Sequence, residues 1–186
     1  MQTQIRATRD PPARTDEPAA GSDEVSQRPP WATVAAAGLL AGALDLTFAL
    51  IFYGYQGATP ERILRGIAAG LVGRDQALAL GALAPLLGAL LHFFTSVCAA
   101  FVFYAASRRI AFLTRNPWMS GAVFGVCVYA FMHFLVIPLS RLPFRVQSPG
   151  NMIGELCSHI FLFGIVIAFG VARARSSEAR LRGRRA

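Results

Sequence analysis

Residues 121–138 read Gly-Ala-Val-Phe-Gly-Val-Cys-Val-Tyr-Ala-Phe-Met-His-Phe-Leu-Val-Ile-Pro, and residues 154–159 read Gly-Glu-Leu-Cys-Ser-His. Both stretches lie within long apolar runs. On a helix, Gly121, Gly125, Tyr129 and His133 are spaced by four and share one face, as do Glu155 and His159. Two apolar helices therefore each carry ionisable groups. Such groups are expensive in hydrocarbon, so they should face protein or a water-filled cavity rather than lipid.

Working outward, the chain has 186 residues, of which 54% are hydrophobic and 15% charged. An average soluble domain is about 25% charged. The charges gather at the two ends and in short loops. Between them lie four apolar runs, at about 31–54, 79–106, 117–137 and 151–171, each near the roughly 20 residues that cross a bilayer as a helix. The expected fold is an all-α membrane protein with four transmembrane helices, running from 31 to 172. Residues 1–30, polar and proline-rich, are expected to form a disordered tail. They lack an apolar signal-peptide core, so the first apolar run should stay as a span. Residues 173–186 form a basic tail.

Between the first two spans, Thr59-Pro60-Glu61 reads as an N-cap, a proline at the first helical position and an acid in the first turn. Ile63, Leu64, Ile67, Ala68, Leu71 and Val72 follow at helical spacing. This predicts a short amphipathic helix lying on the membrane surface, too short to cross. Pro85 is expected to bend the start of the second span, and Pro138 to end the third.

All 18 basic residues are arginine, giving a net charge of +8. With both termini on one side, that side collects 13 arginines and the other 5. The positive-inside rule then places both termini in the cytoplasm of a bacterial inner membrane. Because the arginines flank apolar spans, the expected partner is anionic lipid at the cytoplasmic face, not nucleic acid. A homo-oligomer is compatible with the sequence. Cys98, Cys127 and Cys157 lie in three different apolar runs, form no Cys-x-x-Cys pair and read as small buried hydrophobes.

Depth sharpens the picture. At 1.5 Å per residue, Asp45 and His92 lie about 14 Å below the outer ends of their spans, His159 about 12 Å, His133 about 8 Å and Glu155 about 6 Å. All five belong in the outer half of a core about 30 Å thick. They are the candidate site: a polar cluster to which all four spans contribute. Gly38-x-x-x-Gly42 in the first span and Gly121-x-x-x-Gly125 in the third are candidate close-packing faces. Asp45 is read as continuing the Gly38–Gly42 face. A faint duplication is also visible, since each GxxxG helix is followed by a histidine-bearing one, with His92-Phe-Phe matched by His159-Ile-Phe.

From Trp118 onward the chain resembles the YagU-like family of small multi-pass bacterial inner-membrane proteins. The resemblance rests on Gly121-x-x-x-Gly125, on His133 and Pro138-Leu139, and on Glu155-x-x-x-His159 after a proline-bearing loop. The run from His92 to Tyr104 is also similar. It covers about half of the chain and implies a membrane protein, with no catalytic residues or substrate attached.

Histidine titrates near neutral pH and responds to neighbouring carboxylates. The favoured functional reading is a proton-responsive cluster in a transport or stress-tolerance protein. The alternatives are a transition-metal site on His92, His133 and His159 with a carboxylate, a haem held by two histidines, and a purely structural helix bundle. No cofactor is predicted outright. No nucleophile–base pair, phosphate loop or metalloprotease motif is present, so an enzyme is not expected.

Overall fold

The computed structural model describes residues 29–142 and 147–183. The tail at 1–28, expected to be disordered, lies outside the described residues. The described residues are helical, with no strand among them: α1 (Pro30–Gly54), α2 (Pro60–Val72), α3 (Arg74–Ala79), α4 (Leu83–Ser107), α5 (Phe112–Arg115), α6 (Pro117–Leu139) and α7 (Pro149–Gly183). Four of them, α1, α4, α6 and α7, are long and apolar enough to cross a membrane.

Three helices begin in the same way. Thr59, Asn116 and Ser148 each accept a bond from a backbone N–H in the first turn, and a proline follows at once. The side chain satisfies a donor the helix leaves free, and proline occupies a position whose N–H would have no partner.

The second span begins at Leu83, later than the hydropathy implies. Gly73 and Gly81 adopt φ of +91° and +53°, values that favour glycine. They break residues 74–82 into the short helix α3 and a turn. Pro85 falls in the first turn of α4, where its missing N–H breaks no helical bond. The third span runs through Pro138 to Leu139, after a π-helical segment at Met132–Val136. A proline clashes with the carbonyl four residues earlier, and the wider π turn just before Pro138 accommodates it. The fourth span contains a second π segment, His159–Gly164.

That last helix continues to Gly183, so residues 173–183 are helix rather than loose tail. Tyr104 on α4 donates to Glu178, and Arg175 donates to the same carboxylate at 2.5 Å. Alanine and arginine in this stretch are also good helix formers.

In the bundle, α1 packs against α4 on one side and α7 on another, and α7 packs against α6. Val34, Ala41, Ala100, Phe103, Phe163, Ile167 and Val171 form the centre of the core. Leu40, Phe94, Phe134 and Phe161 point outward and are exposed, as a hydrocarbon surround requires. The helix α2 lies against the start of α4 through Ala68, Ala69 and Ala84. A methyl group at Gly88 would stand 1.9 Å from the Leu64 carbonyl oxygen.

Candidate functional site

The site grows from two glycine contacts. A Cβ on Gly125 would fall 2.2 Å from the carbonyl oxygen of His159, and one on Gly121 would fall 2.6 Å from Ile165 Cα. The α6 backbone is thus pressed against the π segment of α7. Small residues permit that approach, and it sets the α6 side chains one and two turns further on beside His159. Tyr129 meets the His159 ring edge-on, with centroids 5.8 Å apart, and stacks on His133 at 5.3 Å.

Asp45 reaches the same place from α1. Ser158 Oγ donates to Asp45 Oδ1 at 2.5 Å, and His159 Nδ1 lies 3.9 Å from the same oxygen. The side chains of Asp45 and His159 are 13% and 19% exposed. His159 Nδ1 also sits 2.9 Å from the Glu155 carbonyl oxygen. A carbonyl only accepts, so that nitrogen carries the proton. A charged His159 would therefore face Asp45 directly.

One turn nearer the start of α7, Glu155 accepts from Tyr53 Oη on α1 and, at 3.1 Å, from Gln147 Nε2. Glu155 also lies within electrostatic reach of the Tyr129 phenol. Three polar atoms in this region are buried without a hydrogen-bond partner among the described residues: Tyr129 Oη, His133 Nδ1 and Gln147 Oε1. On the α2 side of Tyr53, an open cavity of about 320 Å³ is lined by Tyr53, Gln56 and Arg62 among others.

Four of the five residues singled out in the sequence thus gather between α1, α6 and α7. Asp45 and His159 are in direct contact, Glu155 follows one turn away, and His133 joins through the Tyr129 ring. His92 does not join them. Its Nε2 donates to the Gly42 carbonyl at 2.9 Å, in the seam between α1 and α4. Among the described residues it makes no bond to the other four. The expectation of four contributing helices is corrected to three, because the Gly42 carbonyl within α1 has a second lone pair that takes the imidazole.

The orientation of Asp45 also differs from its sequence reading. Gly38 and Gly42 face α4, where added methyl groups would meet Val97 Cα at 2.8 Å and Ser96 Oγ at 2.6 Å. Asp45, three residues on, is about 60° round the helix from Gly42, enough to turn it to α7. Tyr53, Gln147 and Ser158 were not foreseen. Depth did not announce the pair, since Tyr53 is about 1.5 Å from the end of α1 and Glu155 about 9 Å into α7.

Among the described residues, no three His, Cys, Asp or Glu side chains converge closely enough to share a metal ion. The histidines proposed as a haem pair, His92 and His159, sit in different seams, each with a ring nitrogen engaged by a backbone carbonyl. The three cysteines are exposed on the outer surface of the bundle rather than buried. No family model, curated protein or solved structure matches this chain.

Proposed function

We propose that this chain is an integral protein of a bacterial inner membrane, of the YagU-like kind, with both termini in the cytoplasm and a proton-responsive network in its outer half. The observation that carries the reading is the meeting of Asp45 with Ser158 and His159. A carboxylate, a hydroxyl and an imidazole from two apolar helices share one oxygen, Asp45 Oδ1. Proton uptake by His159 converts that contact into an ion pair in a low-dielectric setting, where its effect on helix packing is large. The two π segments support the reading, since such segments recur at functional sites and one of them starts at His159.

Arginine placement supports the orientation. The apolar face of α2, amphipathic and set at the outer end of α4, supports an interfacial position for that helix. A role in transport or in tolerance of acid stress follows from the outward setting of the network.

The chain has only three histidines, so histidine-labelled protein in lipid bilayers gives three imidazole signals that can be followed by NMR. The expected result is that the His159 signal responds to pH, that Asp45→Asn alters that response, and that His92 ignores the substitution. If no histidine signal responds to pH, or His159 ignores Asp45→Asn, the reading fails.

A further inference from the structure

Glu155 has an unusual environment. Its partners are the Tyr53 hydroxyl and the Gln147 amide, and both donate to the same oxygen. Two donors on one oxygen suit an ionised carboxylate. Glu155 is partly buried between apolar helices, and a carboxylate so placed is stabilised when a cation joins it. Yet the ion pairs among the described residues are Arg65–Glu61, His159–Asp45 and Arg175–Glu178, and none of them includes Glu155.

The surroundings show what is missing. Tyr129 is only 8% exposed, and among the described residues its hydroxyl has no partner. Neither has His133 Nδ1 or Gln147 Oε1. Native proteins satisfy nearly all such groups. Each of the three can accept a hydrogen bond: the phenol through a lone pair, the amide through its oxygen, the imidazole through Nδ1 when its proton sits on Nε2. With Glu155 they make four acceptors and one negative charge. An ammonium group offers four N–H donors and one positive charge.

We propose that this pocket binds a small N–H-bearing monocation, either ammonium itself or the head of a primary amine. It would sit against Glu155 and donate to Tyr129, His133 and Gln147. Tyr53, which donates to Glu155, also lines an open cavity of about 320 Å³ against α2, and entry from that side is part of the proposal. Arg62 on the cavity wall is exposed, so water and salt screen it. The proposal concerns the same network as the proton-responsive reading but rests on different atoms. Histidine titration can succeed while amine binding fails, and the reverse.

The test is equilibrium binding of radiolabelled methylammonium to the purified full-length protein in detergent, with ammonium and tetramethylammonium as competitors. Saturable binding at one site per chain, displaced by ammonium and not by tetramethylammonium, is expected. Ammonium displacing far better than unlabelled methylammonium would identify the free ion, and the opposite would identify the amine head. Glu155→Gln should abolish binding. Tyr129→Phe, which keeps the ring and the fold, should weaken it about tenfold or more through loss of one charge-assisted bond. No saturable binding, or equal displacement by tetramethylammonium, overturns the proposal. Arg145 lies outside the described residues, and Arg145→Gln is therefore a further arm. Binding that appears only in this variant shows that Arg145 itself supplies the counter-charge, which also overturns the proposal.

Discussion

The bundle contains two helical hairpins built from the same ingredients, α1 with α4 and α6 with α7. In each, a GxxxG helix packs against an antiparallel helix carrying a histidine. In the first, the glycines meet Ser96 and Val97, both helices are regular, and His92 is tied to the Gly42 carbonyl. In the second, Gly125 meets the backbone of His159 and Ile160, both helices contain a π segment, and the rings of His133 and His159 face a polar network. One pattern thus gives a histidine serving as a packing bolt in one hairpin and a histidine beside a carboxylate in the other. What separates them is the second glycine of each pair: Gly42 meets the Ser96 side chain, whereas the three atoms nearest a Cβ on Gly125 are all backbone.

The largest expected effect tests that distinction. Gly125→Ala forces a Cβ into a carbonyl 2.2 Å away and should cost about 3 kcal/mol or more, at the upper end of overpacking penalties. Gly42→Ala meets Ser96 Oγ, which has other rotamers, and Ser96 Cβ at 2.9 Å, which must give by a small shift, and should cost less, about 1–2 kcal/mol. Reversible unfolding in mixed detergent–SDS micelles measures both, and equal losses would break the comparison. Next comes Tyr53→Phe. It deprives the Glu155 carboxylate of a donor and should destabilise by about 1.5–3 kcal/mol in the same assay. His92→Phe removes one neutral hydrogen bond and should cost about 1 kcal/mol, without altering the NMR titration of His159. A changed titration would mean that the two hairpins are coupled through Asp45. Smallest of all, Glu178→Gln weakens the pair with Arg175 by about 0.5–1 kcal/mol. Hydrogen exchange should then quicken over residues 176–183 and stay unchanged in the spans.

The four long helices were readable because a bilayer demands about 20 apolar residues in a row, and few other folds do. The start of α2 was readable because Thr59 and Pro60 act locally. The close packing of Gly121 and Gly125 needed only a spacing of four. Other features were not readable, for identifiable reasons. A π turn adds one residue per hydrogen bond and leaves no mark in an apolar run, so both π segments were invisible. His92 found a backbone acceptor, and no side-chain pattern announces a carbonyl. The role of Tyr53 carried no local sign, because its partner is 102 residues away. The helical tail was missed because its high charge masked good helix formers and the Tyr104–Glu178 contact.

The central position of α1 has a consequence for how the protein is made. This helix leaves the ribosome first, yet the hydroxyl that caps Asp45 belongs to Ser158, 113 residues later. Until α7 emerges, that carboxylate must wait beside the translocon or in lipid without its companion. Insertion of the last helix is then the event that locks the first one in place, and chains truncated before residue 149 should be cleared by membrane quality control.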